Sequence, residues 1–372
     1  MINMTFNDSR PFAFSFALLA SIFVLLSPTA GCNNCQGEQL DPIPQPGQIS
    51  GRICDPGEAK GIWGAEVYVL LDEDGTRRIS TTTNADGSFL LEEIPEGDYT
   101  LYVERGSFST TVEGIQVIEE ETTVLSEEDC IEPDQVTMAV YNGHDEVEQV
   151  LSRLGYNDFT IHETYHHASD RDDDTESWLK TAFYDYDAFS DNDILFINCA
   201  AHEWALDAMT EDEKETVLDN LRQFIEEGGS VYLSDWSYDL LEQLYPDAVD
   251  WLGDDAVAND AEHGVAQEFV GSVIDQGMSA AGLDQVLLRF EQSRIAIPLE
   301  LGVGTRMMIR AAVLVEQDEE EVLFEDIPVL LEHRPININA EVAGRVIYTT
   351  FHNGGNNTQD MDNLLRNIIF SL

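Results

Sequence analysis

Apolar positions along the chain follow two different periods. Between residues 48 and 130 they alternate with polar ones in short runs, at 49–54, 65–71, 77–83, 89–94, 99–104 and 108–112. A period of two marks half-buried strands. Asp74-Gly75, Asp86-Gly87, Glu96-Gly97-Asp98 and Arg105-Gly106 separate the runs with hairpin and turn chemistry. No helical stretch interrupts them, so this part of the chain is expected to be an all-β sandwich.

From residue 136 the pattern changes. A continuous apolar run at 136–141 is followed by Asn142-Gly143-His144 and an amphipathic helix to Leu154. A short strand at 158–162, a polar passage at 166–176 and a helix at 177–184 come next. The run DILFIN at 193–198 reads as a third buried strand. Thr210 with Glu213 three residues on forms a capping box, and the helix it opens runs to Glu227. Gly228-Gly229 ends that helix, the strand Val231-Tyr232-Leu233 follows, and a sharp corner at Asp235 leads into another helix near Trp236. Strands alternating with helices predict a doubly wound, parallel α/β sheet. Runs at 265–274, 286–290, 307–315 and 327–333 predict further strands, some in an antiparallel insertion or edge. The chain closes on a strand at 345–351 and a helix at 359–371. The molecule is therefore expected to be multidomain, with the sandwich at 48–130 and the α/β domain at 135–372.

Residues 1–31 have the regions of a secretory signal: a polar start ending in Arg10, an apolar run at 12–26 too short to span a bilayer, and Thr29-Ala30-Gly31 before Cys32. The ending resembles the lipobox of bacterial lipoproteins, although Thr29 stands where an aliphatic residue is usual. The resemblance implies that Cys32 carries the lipid and becomes the mature N-terminus, a membrane anchor without a membrane-spanning helix. A tether rich in Pro, Gln and Gly follows over 32–47. Asn33 is not the aspartate associated with inner-membrane retention in some bacteria, so the outer membrane is preferred.

Charge narrows the partners. The formal net charge is −54, from 72 acidic and 18 basic residues, and only Lys60, Lys180 and Lys214 are lysines. Such a field repels nucleic acid, which is excluded as a partner. Acidity spread along the chain fits a surface adapted to high salt; cation binding is the rival reading, and composition leaves both open. The cysteines suit an oxidising compartment. Cys54 and Cys130 flank the first domain and are expected to be bridged, with Cys35 a competing partner for either.

In the first domain ISGRI, GAEVYVL and TTTNADGSFLLEEIPEGDYTLYVE resemble a carboxypeptidase regulatory-like domain. Gly51, Gly64-Ala65, Asp86-Gly87-Ser88-Phe89 and Ile94 to Tyr99 supply its motifs. The resemblance implies a transthyretin-like sandwich used as a spacer or binding module, with Phe89 and Tyr99 entering its core. Asp72, Asp74 and Gly75 superficially suggest a calcium loop, but its downstream glutamate is missing and a hairpin turn is expected.

The second domain resembles the class I glutamine amidotransferase-like superfamily, especially the trehalose-utilisation-type branch. DILFIN with CAAHEW, the GGSVYLSDWSYDLL element and GRVIYTTFHNGG carry the resemblance. That family's chemistry needs a cysteine at the elbow, a histidine and an orienting glutamate. Here Asp235 holds the elbow, His352 the histidine position, and Gly354 the place of the glutamate. Amidotransferase activity is therefore not expected. His144, His162, His166, His167, His202, Asp235 and His352 all follow strands, and in a doubly wound sheet such loops share one ligand-binding edge. His144, His202, Asp235 and His352 are candidates for holding a divalent metal, and the same groups for acid–base work. Cys199 beside His202 suggests a nucleophile–base pair, against the plainer reading of a strand-end core residue. The acidic run 170–174 reads as a solvated loop rather than a calcium site, and Trp204, Trp236 and Trp251 as packing rather than sugar platforms. The expectation is a non-catalytic, envelope-anchored lipoprotein that binds or scaffolds a carbohydrate, peptide or protein. The alternative is a metal-assisted hydrolase or lyase at the C-terminal edge of the sheet.

Overall fold

The computed structural model describes residues 45–55, 60–72, 74–125, 131, 136–164, 176–200, 202–253, 261–318, 320–336, 344–354 and 357–372, without the side chains of 202 and 203. Cys32, Cys35, Cys130, His166, His167 and the acidic run 170–174 lie outside the described residues, as does the signal segment.

Seven strands make the first part: β1 (Gly47–Arg52), β2 (Glu66–Leu70), β3 (Arg78–Thr82), β4 (Ser88–Ile94), β5 (Gly97–Arg105), β6 (Phe108–Val117) and β7 (Thr122–Val124). They form two sheets, β4-β1-β7 and β3-β2-β5-β6. Ile49, Phe89 and Leu91 from one sheet and Val67, Val69, Leu101 and Val103 from the other are buried in a common core, as alternation requires. Phe89 enters that core as expected. Tyr99 packs against it while staying half-buried, and its hydroxyl donates to the Pro95 carbonyl at 3.0 Å. The suggested calcium loop is a hairpin turn, because the Asp72 carboxylate accepts from Thr76 N at 2.8 Å and Arg77 N at 3.2 Å. Cys54 is disulfide-bonded; both partners expected for it lie outside the described residues.

The second part begins with β8 (Met138–Tyr141), α1 (Val147–Arg153), β9 (Phe159–His162), α2 (Trp178–Phe183), β10 (Ile194–Ile197), α3 (His202–Asp207), α4 (Glu211–Glu226), β11 (Ser230–Ser234) and α5 (Tyr238–Leu244). There follow β12 (Val249–Trp251), β13 (Glu262–Gly264), β14 (Gln267–Val273), α6 (Gln276–Ala280), β15 (Gln285–Phe290), β16 (Ile295–Ala296), β17 (Pro298–Leu301), β18 (Thr305–Gln317) and β19 (Glu320–His333). The end is β20 (Val346–Thr349) and α7 (Gln359–Ile369). The main sheet runs β15-β14-β18-β19-β20-β11-β10-β8-β9. From β20 to β9 every pairing is parallel, whereas β19 joins β20 antiparallel and β14, β15 and β18 extend the sheet as the antiparallel portion.

The helix that feeds β11 shows why the sequence folds as it does. Thr210 and Glu213 close the expected capping box, and Val217, Leu218, Leu221, Phe224 and Ile225 bury one face of α4. Gly228 then adopts a φ of +114°, and a Cβ on Gly229 would lie 2.2 Å from the Phe224 ring, so the exit from the helix needs both glycines. Residues beyond 43 form one compact unit, with an apolar cluster running through the sandwich and one face of the α/β sheet. Phe108 packs on Phe370 at a ring separation of 4.9 Å, and Arg366 reaches Asp55 at 3.0 Å.

Candidate functional site

Four adjacent parallel strands, β20, β11, β10 and β8, bring their C-terminal ends together. Asp235 leaves β11 with a φ of +39°, a left-handed conformation that most side chains avoid and that Asp and Asn tolerate better than others. Its Oδ1 accepts from the Ala296 amide at 3.0 Å, and Oδ2 lies 3.0 Å from His352 Nε2. The Tyr348 hydroxyl donates to its backbone carbonyl at 2.9 Å. Cys199, two residues beyond β10, places its sulfur 3.9 Å from Asp235 Oδ2. The ligand atoms of Cys199, Asp235 and His352 all lie within 4.8 Å of one another.

Beneath this trio the loops are tied by Asp145. Its carboxylate accepts from Cys199 N at 3.0 Å, from Asn353 N at 2.5 Å and from the Ser234 hydroxyl. One buried side chain thus holds the ends of all four strands. Asn353 adds a bond from Nδ2 to the Tyr232 hydroxyl at 2.7 Å, and Glu146 N donates to the Asn353 carbonyl at 2.8 Å. His144 N donates to the Cys199 carbonyl at 2.6 Å, an approach open only to glycine at 143, where a Cβ would lie 1.9 Å from that oxygen.

The site is closed. Cys199 and Asp235 are each 1 % exposed and His352 7 %. The cover comes from the antiparallel portion: Ala296 belongs to β16, and Arg294 beside it accepts through its carbonyl from Trp236 Nε1 at 2.8 Å. Burial pushes the Cys199 thiol up to about 12, so at neutral pH it is protonated. Burial also raises the Asp235 carboxyl. Burial alone would lower the His352 imidazole; its contact with Cys199, the charge of Asp145 and the bond to Asp235 outweigh it and hold it well above its ordinary value.

Of the residues singled out in the sequence, Cys199, Asp235 and His352 come together. His144 stands just outside, its ring 6.4 Å from that of His352 and 6.0 Å from Trp236. His162 is elsewhere, stacked on Tyr141 at 4.8 Å on the edge strand β9. His202 opens α3, and its side chain is not among those described. The base beside Cys199 is His352, from a strand two removed, rather than the neighbouring His202. Trp204 and Trp251 are core residues, while Trp236 is half-buried. At Gly354, where a glutamate was missing, the Glu146 carboxylate reaches within 3.3 Å of an added Cβ. Asp145, Ser234 and Asn353 were not anticipated. Each directly adjoins a residue that was, at the polar end of an apolar strand, and that adjacency is the signal that could have found them.

Residues 48–127 match the family model of the carboxypeptidase regulatory-like domain, as their motifs implied. No curated protein sequence matches the chain. Among solved structures, the chain is similar to a ThuA-like protein from Parabacteroides merdae, at 13% identity over 64% of this chain and 90% of that one, with a TM-score of 0.39. It is similar to a cytoplasmic protein from Salmonella typhimurium at 10% identity, over 63% and 98% of the two chains, with a TM-score of 0.37. A type II cohesin–X-dockerin complex from Acetivibrio cellulolyticus matches at 15% identity over 28% of this chain and 70% of that one, with a TM-score of 0.21. Likeness at these scores says nothing of activity. The class is set by the strand order: a carboxypeptidase regulatory-like sandwich followed by an α/β part with a partly parallel sheet.

Proposed function

We propose that the protein is an exported lipoprotein, anchored through Cys32 at the cell envelope and in the outer membrane, that binds or scaffolds a carbohydrate, peptide or protein. Its α/β part has given up amidotransfer. The observation that carries this reading is the elbow: Asp235 stands where the nucleophile belongs, bound to Ala296 N and His352. The one sulfur nearby is a buried, protonated thiol. Nucleophilic catalysis on an amide needs a thiolate that substrate can reach, and neither condition is met.

Alkylation tests it. Iodoacetamide at pH 8 should leave Cys199 unmodified in the native protein for hours and label it within minutes in urea. Glutamine should not be hydrolysed above the buffer rate. Rapid labelling of native protein, abolished by His352→Ala, would overturn the reading. The anchor has its own test: Cys32→Ser should move the protein from the detergent phase to the aqueous phase.

A second reading is favoured by one observation, the convergence of a thiol, an imidazole and a carboxylate within 4.8 Å. Sulfur, nitrogen and oxygen ligands at such separations suit zinc, and the site would then serve metal-assisted hydrolysis. Metal analysis of purified protein separates the two. Stoichiometric zinc lost on both Cys199→Ala and His352→Ala supports the hydrolase; less than a tenth of an equivalent after zinc loading supports binding alone.

A further inference from the structure

The seam between the sandwich and the α/β sheet holds a cavity of about 410 Å³ that shares no lining residue with the closed edge described above. Arg52, Lys60, Trp63 and Arg105 approach it from the sandwich, and Asn363 and Arg366 from α7. The chain has 72 acidic residues and 18 basic ones, so a wall picked at random would be negative. Among the described residues this wall has four cations and no carboxylate. Buried Ile62 and Phe370 give it an apolar floor.

Two of the four, Arg52 and Arg105, are not matched as arginines elsewhere are. Most described arginines hold a carboxylate, including Arg78 with Glu66, Arg153 with Asp362 and Arg306 with Asp275 and Glu332. Arg52 and Arg105 make no ion pair among the described residues. Arg52 is positioned by a bond from Nε to the Asp86 carbonyl at 2.7 Å, and the Asp86 carboxylate feels its charge without pairing with it. Arg105 lies over the Trp63 ring at 5.1 Å; Asp275 acts on it through space, but its buried Nε has no hydrogen-bond partner among the described residues. Arg366 is held against the buried Asp55 at 3.0 Å and frames the wall. Keeping a guanidinium half-buried with an unmet donor is unfavourable unless an acceptor arrives from outside.

We propose that this seam pocket binds a small organic anion, a carboxylate, sulfate or phosphate carried on a compact ring body such as an acidic sugar. The oxyanion is gripped by Arg105 and Arg52 with Lys60 beside them, charge-assisted bonds that a planar guanidinium forms best. The ring body rests on Ile62 and Phe370, and the carboxamide of Asn363 meets hydroxyl groups. The binding role proposed above thereby gains a ligand class, and the seam position makes sandwich and α/β sheet two halves of one site.

The full mature protein, titrated by calorimetry at constant molar ionic strength, tests this with glucuronate, sulfate, phosphate and neutral glucose. Glucuronate should bind saturably and glucose should not. Equal binding of sulfate and phosphate assigns the site to the oxyanion alone; glucuronate binding more tightly than either assigns the ring contacts as well. Loss of a charge-assisted partner predicts that Arg105→Gln weakens binding by about tenfold or more and Arg52→Gln by roughly threefold. Arg310→Gln, remote on the surface, should change nothing. Arg52 is an exposed residue, so its variant keeps the test open should Arg105→Gln fail to fold. No saturable response to any anion, glucose binding as well as glucuronate, or both variants binding as the parent would overturn the proposal. None of these results touches the alkylation of Cys199, so the two readings fail separately.

Discussion

Asp235 combines three features that rarely coincide: a left-handed backbone, near-complete burial and an imidazole 3.0 Å away. The partnership has a pH signature. Because His352 is held above its unfolded value, it contributes stability that is present below about pH 6.5 and is lost as pH rises through the folded value. Asp235→Asn removes the nearest compensating charge. The His352 pKa should then fall, moving that loss to lower pH, and the variant should be less stable by about 3 kcal/mol at pH 7. Imidazole proton shifts and urea melts check both. At this scale the sequence displayed the elbow, its acid and the distant histidine, because each ends a strongly apolar strand. It did not display that Cys199 and His352 would meet. Their strands lie on either side of β11, and only the sheet order makes them neighbours. Asp145 was hidden for the same reason: its three donors come from residues 54, 89 and 208 positions away.

Among the elements, β19 carries the clearest acid sensitivity. His333 ends that strand with its ring against Tyr245 at 4.4 Å and Nδ1 2.8 Å from the Thr305 hydroxyl. Burial lowers its pKa to about 4. The folded value lies below the unfolded one, so the neutral ring supports the fold above about pH 6.5, and support is lost as pH falls from there toward 4. The full loss is about 3 kcal/mol. His333→Gln should flatten this window: urea midpoints at pH 7 and pH 4.5 should differ less in the variant than in the parent. The acidic start of β19, Glu320-Glu321, also shows what periodicity misses. Alternation placed the strand at 327–333, whereas pairing with β18 extends it back to Glu320, hydrogen bonds there outweighing the poor propensity of the acids. The strands β7 and β16 were invisible because runs of three and two residues contain no period. Yet β16 supplies the Ala296 amide that fixes Asp235.

For the whole molecule the strongest electrostatic effect is self-repulsion. A net charge of −54 on one chain destabilises any compact state, and screening relieves it over a Debye length of about 10 Å at 0.1 M salt and about 3 Å at 1 M. Exposed ion pairs such as Arg310–Asp326 and Arg78–Glu66 weaken in salt, but each is worth little and they are few against the excess acid. Repulsion therefore wins, and the melting temperature should rise by roughly 10 °C or more between 0.1 M and 2 M salt, a shift of a few kcal/mol for a chain of this size. Screening and cation binding separate by the choice of ion. If screening acts, sodium, potassium and tetramethylammonium chloride stabilise alike at equal ionic strength. If carboxylate clusters bind metal, millimolar calcium alone should raise the melting temperature by an amount that tetramethylammonium cannot reproduce at any concentration. The diffuse placement of the acids, on strands, helices and turns alike, favours the first outcome, since a cation site needs its carboxylates gathered and most of these are spread apart.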